Sequence, residues 1–430
     1  MAQALRAGLR NGGLRRGGLR PGLGNGNLFA IAPLDLFFAR NRTLDSRVTF
    51  TRASSGTYVG SDGLIKTAAT NEPRFDHNPT TGESLGLLVE EQRTNLLLQS
   101  EDLLTTWTAN DGLARTANQT VSPNGSTTAD LLASGGTLIG YLEQPNASSN
   151  QFVSGTTYTY SIYLKKANTS TCLTLLFGTT FNSGGGNPVA TWNLDTGVPT
   201  FVNGATGSMT AVGNGWYRCV VTDTATQTHT QNQQWLRMAS ASGDVYTWGA
   251  QLEVGAFATS YIPTTTATVT RSADVPSITG ANFSSWYRQD EGTVFSDCVG
   301  TFSATQVLVN TAATAANTAT SAISLASNLV SSQKRVRIRD AASADQASLA
   351  LGASSSGSRT RIAAAIKAND FAASLDGGAA VTDTTGTVPT VALMEIGSAP
   401  SGVTLGTQLH RRLTYWPTRL TNEVLQRITQ

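Results

Sequence analysis

Residues 157–164 alternate strictly: Thr157-Tyr158-Thr159-Tyr160-Ser161-Ile162-Tyr163-Leu164, followed by Lys165 and Lys166. A side-chain period of two belongs to a strand, because neighbours along an extended chain point to opposite faces. Tyr158, Tyr160, Ile162 and Leu164 share one face, and the lysines end the run in solvent. The same reading applies to Gly215–Val221, entered through a Gly-Asn-Gly turn, and to Val245–Glu253. Strands at this spacing, separated by Gly/Asn/Thr turns, predict a two-sheet sandwich over residues 100–271.

A second all-β unit is expected over residues 272–430. Its strand candidates are Val294-Phe295, Gln306–Val309 and Lys334–Arg339. In the last of these Val336 and Ile338 face one way, and Arg335, Arg337 and Arg339 form an outer face that reads as solvated surface, with an anionic-glycan or partner contact as the alternative. The Ala/Thr/Ser-rich stretch Thr311–Ser327 reads as a loop or weak strands. Thr421 caps a short closing helix, in which Val424 and Ile428 make an i, i+4 apolar pair. Residues 35–99 read as a hairpin-rich connector packed onto a neighbour. Val48–Thr51 and Leu85–Val89 are its strand candidates, and Ser61-Asp62-Gly63 and Asn78–Gly82 its turns. The chain's 430 residues exceed what one core supports. Only 13% of them are charged, against about a quarter in an average domain, which suits turn-rich all-β proteins.

The N-terminal segment is different. Leu5-Arg6, Leu9-Arg10, Leu14-Arg15 and Leu19-Arg20 recur, Leu23 follows on the same spacing, and no acid precedes Asp35. Glycine spacers raise the entropy lost on ordering, so residues 1–34 form an extended arm that orders only against a partner. Two readings are open. Arg6, Arg10, Arg15, Arg16 and Arg20 would neutralise about five phosphates of a nucleic acid, with a salt slope near about −4.5. Alternatively the leucines fill successive pockets on a protein, each contributing about 1.5–3 kcal/mol before ordering costs. A phosphate binder has no need of a leucine every four or five residues, so docking on a protein is favoured and nucleic acid is not expected. No apolar stretch suits a secretory signal or a membrane span, and no membrane partner is expected.

No catalytic or metal constellation is apparent. Cys172, Cys219 and Cys298 lack metal spacing and read as buried or half-buried thiols, and His77, His229 and His410 are scattered. Glu90-Glu91 and Glu101-Asp102 are adjacent carboxylates. Neighbours on a strand point apart, so these read as solvated surface or turn caps rather than a glycosidase pair. Asp244 and Asp376 offer oxygens to calcium without a dense acidic loop. No cofactor is expected. For sugar binding, apolar sugar faces stack on rings while planar polar groups hold hydroxyls. Trp107, Trp192 and Trp235 lie amid polar residues and are the glycan-binding candidates. Trp216 and Trp248 sit in strand patterns and are expected in the core.

Several stretches carry a resemblance. Val48–Tyr58 (VTFTRASSGTY) and Gly86–Leu96 (GLLVEEQRTNL) resemble a module common in phage and prophage appendage proteins. Trp248–Glu253 (WGAQLE), Thr259–Thr264 (TSYIPT) and Asn214–Arg218 are similar to parts of the carbohydrate-binding-module-like jelly roll found beside it. Phe371–Gly378, Arg411–Leu420 and the closing helix resemble concanavalin A-like or laminin-G-like sandwiches. The resemblance covers most of residues 48–430 and leaves the arm outside. It implies an all-β protein with a jelly-roll and a concanavalin A-like sandwich behind arm and connector. It further implies a virion protein, a tail fibre or tail-associated attachment protein that meets host-surface glycans. Without a catalytic cluster no enzymatic activity is expected, and because a single arm gives modest affinity that multivalency multiplies, a homo-oligomer, expected trimeric, follows. The arm would join it to other virion proteins. A capsid decoration, head spike or cement protein and a glycan depolymerase are the alternatives.

Overall fold

The computed structural model describes residues 25–134, 139–144, 152–176, 189–228, 234–240, 243–301, 306–314, 321–330, 333–353, 355–397 and 406–430. Leu5 to Leu23, with the arm's arginines, lie outside these. Two antiparallel β-sandwiches make up the described chain, one inserted into the other.

The inserted sandwich faces two six-stranded sheets. One runs Thr206–Ala211, Trp216–Thr224, Thr157–Lys166, Asp244–Val254, Ala129–Ala133, Ala114–Thr120. The other runs Val198–Val202, Val189–Asn193, Thr171–Leu176, Gln234–Met238, Tyr141–Glu143, Thr108–Asn110. Tyr158, Tyr160, Ile162 and Leu164 share the core between them, as the alternation predicts. The opposite face of the same strand is covered as well. Tyr163 packs there with Trp216, Trp248 and Tyr261, and Ile65 closes over them. Trp216 and Trp248 are therefore buried, but outside the main core.

The terminal sandwich pairs an eight-stranded with a seven-stranded sheet. Its strands come from both ends of the described chain. Thr407–Trp416 pairs with Glu291–Thr301, with Ser84–Glu90 and with Leu34–Leu36. Thr49–Thr51 pairs with Val275–Thr279 in the opposing sheet. Residues 35–99, expected as a connector, thus supply strands to both sheets of the 272–430 unit. A segment too short to bury its own apolar face finds cover by completing these sheets, which also protects their edges. The stretch 311–327 joins them too: Gln306–Ala312 and Ala322–Val330 form a ladder, and residues 315–320 lie outside the description. The arginine face of Gln333–Arg339 is engaged within its sheet, Arg337 and Arg339 with Asp345 and Arg335 with Ser348.

Chain departure and return form one junction. Arg93–Asn95 pairs antiparallel with Val269–Arg271. Asn95 Nδ2 donates to the Ala250 and Ile262 carbonyls at 3.1 and 2.9 Å, and its Oδ1 accepts from Leu97 N and Leu252 N, both at 3.1 Å. Gln251 Oε1 accepts from Ile262 N at 2.6 Å, and Glu253 accepts from Thr259 N and Oγ1. Asn95, from the 86–96 stretch, thus joins the Trp248–Glu253 and Thr259–Thr264 stretches of the jelly-roll resemblance in a clasp at this junction. Beneath it Arg52 and Arg74 both pair with Asp274, and Arg74 and Arg271 with Glu90, all fully buried. Desolvation works to raise the Glu90 carboxyl, but Arg271 and Arg74 hold it down to about 2. Glu90 is thus no surface carboxylate, contrary to the sequence reading. Adjacent acids reveal nothing of what later folds over them.

Candidate functional site

The outer face of the sheet that ends in Thr108–Asn110 collects a graded row of side chains. Inward residues Leu142, Leu236, Met238, Cys172, Ala190 and Trp192 fill the core. The period of two then turns their neighbours outward. Register places Asn110 opposite Tyr141, Tyr141 opposite Arg237, Arg237 opposite Leu173, and Leu173 opposite Thr191. In the next row Glu143 lies opposite Trp235.

Tyr141 and Trp235 stack diagonally, with ring centroids 4.3 Å apart and planes 30° apart. Offset stacking of this kind is worth about 0.5–1.5 kcal/mol beyond area burial. Trp235 Nε1 donates to Glu143 Oε2 at 2.6 Å, and Asn110 Nδ2 donates to Glu143 Oε1 at 3.1 Å. Both oxygens of the carboxylate are therefore engaged, and the indole is fixed against rotation. Desolvation, then Glu143 and Asp111, push the Tyr141 phenol up, so it remains a protonated donor at neutral pH. Arg237 has no ion-pair partner among the described residues.

The face offers a fixed aromatic shelf, flanked by an amide, a phenol and a guanidinium. Such a surface takes a ligand with an apolar ring face and peripheral hydroxyls. Glu143 is the carboxylate of this shelf, and its oxygens position Trp235.

Of the three tryptophans singled out from the sequence, Trp235 alone lies on this face. Trp192 is fully buried in the jelly-roll core. Trp107 is buried too, its indole donating to the Gln99 carbonyl at 3.2 Å. Polar sequence neighbours did not expose these two: around Trp192 they occupy the alternate, outer strand positions, and Trp107 lies in the loop before strand Thr108–Asn110, where the chain that folds over it decides. Tyr141, Glu143 and Asn110 escaped the sequence reading. Tyr-Leu-Glu carries the right alternation, but nothing in it points to a residue 92 positions away.

The cysteines are buried and free. Burial pushes the Cys172 and Cys298 thiols up to about 12 and Cys219 well above its ordinary value. Among the described residues no three His, Cys, Asp or Glu side chains converge on a metal-sized site.

No protein-family profile matches the chain, and no curated protein sequence matches it. Solved structures share its architecture at low similarity. The K499G mutant of NanB sialidase from Streptococcus pneumoniae is 13% identical, with TM-score 0.30 over 35% of this chain and 26% of that one. The Ruminococcus gnavus IT-sialidase CBM40, bound to α2,3 sialyllactose, is 12% identical, with TM-score 0.30 over 35% of this chain and 88% of that one. Mouse laminin α1 domains LG4-5 are 10% identical, with TM-score 0.22 over 62% and 83%. The matched part spans about a quarter of the NanB chain. At these scores the likenesses identify no family and assign no residue.

Proposed function

We propose that this chain is a glycan-binding attachment protein of a phage-type particle, reading host-surface sugars through the Tyr141–Trp235 face. The observation that carries the reading is the stacked ring pair, locked by Glu143 and Asn110 on an outward sheet face. A sugar platform gains affinity from being preorganised.

The virion part of the reading is supported by the sequence resemblance and by the arm. The described chain begins with helix Asn25–Ala30, seated on the terminal sandwich. The Leu-Arg repeat of residues 5–23 precedes this helix in the sequence, and its proposed role is to engage a neighbouring virion protein. We place the protein in the tail, as a trimer and without catalytic activity. Three arms and three platforms convert modest single affinities into avid attachment.

Binding to an array of bacterial-surface oligosaccharides tests the glycan reading. Trp235→Ala should weaken binding about tenfold, in keeping with loss of about 1.5 kcal/mol of stacking. Unchanged binding would sink it. Deleting residues 2–23 should leave a folded protein that no longer joins particles, and immunogold label on capsid faces would overturn the tail placement. Release of oligosaccharides from host polysaccharide would overturn the non-enzymatic reading.

A further inference from the structure

The two sandwiches and the hairpin of Gly56–Val59 and Ile65–Ala68 enclose a pocket of about 180 Å³ between them. Tyr163 and Arg218 reach it from adjacent strands of the jelly roll, Asp76 and Leu88 from the terminal sandwich, and Tyr58 and Ile65 from the hairpin. At about 30 Å³ per water in the liquid, this is room for about six waters or one small organic molecule. Junctions between domains are a preferred place for small-ligand pockets.

Three polar groups on this pocket are unspent. Tyr163 is 4% exposed, its ring packed on Trp248 and Tyr261. Its hydroxyl makes no hydrogen bond among the described residues, and unlike the sealed hydroxyl of Tyr160 it opens into the pocket. Arg218 lies opposite Tyr163 in the ladder, its guanidinium 5.6 Å from the ring centroid. Nη2 donates to Ser161 Oγ at 3.1 Å, and among the described residues no carboxylate pairs with the group. Asp76 Oδ1 accepts from Val59 N at 2.6 Å, and among the described residues no lysine or arginine forms an ion pair with this carboxyl. Burial pushes the Tyr163 phenol up, Arg218 works against that and Asp76 adds to it, so both charges act on the same hydroxyl.

The other polar groups of the pocket are taken. Glu90 accepts from Ser260 and Thr407 and pairs with Arg74 and Arg271. Thr259 is held by Glu253. Ile65, Leu88 and Leu409 add apolar wall. A guanidinium and a carboxyl thus face one pocket without pairing. A charge drawn out of water is costly until a counter-charge meets it. A neutral polyol brings no counter-charge, and a simple cation or anion serves only one of the two groups. A molecule bearing both charges serves both at once.

We propose that this pocket binds a small zwitterion of the α-amino acid class, its carboxylate on Arg218 and Tyr163, its ammonium on Asp76 and its apolar side chain against Ile65, Leu88 and Leu409. The ligand touches both sandwiches and the hairpin, and so ties the junction together. The site is separate from the Tyr141–Trp235 face and does not rest on the glycan reading.

Calorimetric titration of the full chain with glycine, alanine, valine and leucine tests this. Each is run beside the matching carboxylate and the matching amine, which lack one charge, and beside glucose. At least one amino acid should bind, and loss of either charge should weaken it about tenfold or more. Arg218→Gln should abolish the preference for the amino acid over the amine, and Asp76→Asn the preference over the carboxylate. Tyr163→Phe should weaken the amino acid and leave the amine unaffected. Asn keeps an acceptor for Val59 N and Phe keeps the packed ring, so these two variants retain the fold. No amino acid bound at millimolar concentration overturns the proposal. So does equal binding of a singly charged analogue or of glucose, or amino acid binding that survives both Asp76→Asn and Arg218→Gln unchanged.

Discussion

Trp416 donates its indole N–H to the Leu28 carbonyl at 3.0 Å, tying the start of the described chain to a strand near its end. Around this bond Arg412 lies 3.7 Å from the Phe29 ring centroid and 4.6 Å from that of Phe37. It also grips Asp35 bidentately, at 2.7 and 2.6 Å. Helix Asn25–Ala30 is thus tied to the terminal sandwich through Leu28 and Phe29.

Replacing Arg412 by alanine removes the two cation–ring contacts and the ion pair together, about 1–3 kcal/mol of local stability. Amide exchange over residues 25–37 should speed up about tenfold or more, while the jelly-roll strands keep their protection. Exchange mass spectrometry reads this directly. Unchanged exchange would show that the pairing of Leu34–Leu36 holds the segment without Arg412.

Asp274 is the shared anion of two fully buried arginines, Arg52 and Arg74. Asp274→Ala leaves both guanidinium groups short of a partner in a site without water access. A loss of about 3–5 kcal/mol follows from an unpaired buried charge. Chemical denaturation should show it, and the wild-type network should be insensitive to added salt because screening does not reach it. A loss below about 1 kcal/mol would mean that water enters the junction.

Two desolvated groups give opposite pH dependences. Burial lowers His410 to about 3, against about 6.5 in an unfolded chain. Between these values the unfolded chain takes up a proton that the folded chain refuses. This contribution to stability is whole above pH 6.5 and falls as pH drops toward 3. Desolvation raises Asp76 to about 6 from its ordinary 3.8. The folded chain keeps that proton longer, so this contribution is whole below pH 4 and is lost as pH rises through 6. Denaturation at pH 4, 5, 6 and 7 should show His410→Met flattening the acid loss and Asp76→Asn raising stability at pH 7 relative to pH 4. Parallel curves for wild type and both variants would contradict the assignment.

Gly249 sits at a bulge. Ser161 pairs with Gln251 and Tyr163 with Trp248, so Gly249 and Ala250 together face Ile162. Its φ is +65°, and a Cβ there would lie 2.9 Å from the Tyr163 ring. Gly249→Ala should cost about 1–3 kcal/mol in a thermal or urea melt. A neutral effect would show that Tyr163 and Tyr261 move aside freely.

Period-two patterning was legible wherever a strand has one apolar face, as at Thr157–Lys166 and Gln333–Arg339. The closing helix was legible from Thr421, whose side chain accepts from Val424 N. Trp235 stood out as an aromatic among polar residues. Trp107 and Trp192 shared that trait and are buried, because local polarity does not say what folds over a residue. Glu90 was misplaced for the same reason.

The sequence by itself determined that the chain is β throughout, that its strands alternate, where most turns fall, and that its first residues cannot make a core. Those properties depend on neighbours two to four positions apart. Only the tertiary structure decided that residues 34–90 complete the terminal sandwich, that the WGAQLE and TSYIPT stretches clasp two sandwiches, and that Tyr141, Glu143 and Trp235 form one surface. Each of these rests on antiparallel register between segments tens to hundreds of residues apart. Such register is set by which apolar faces find cover together, and no local pattern encodes it.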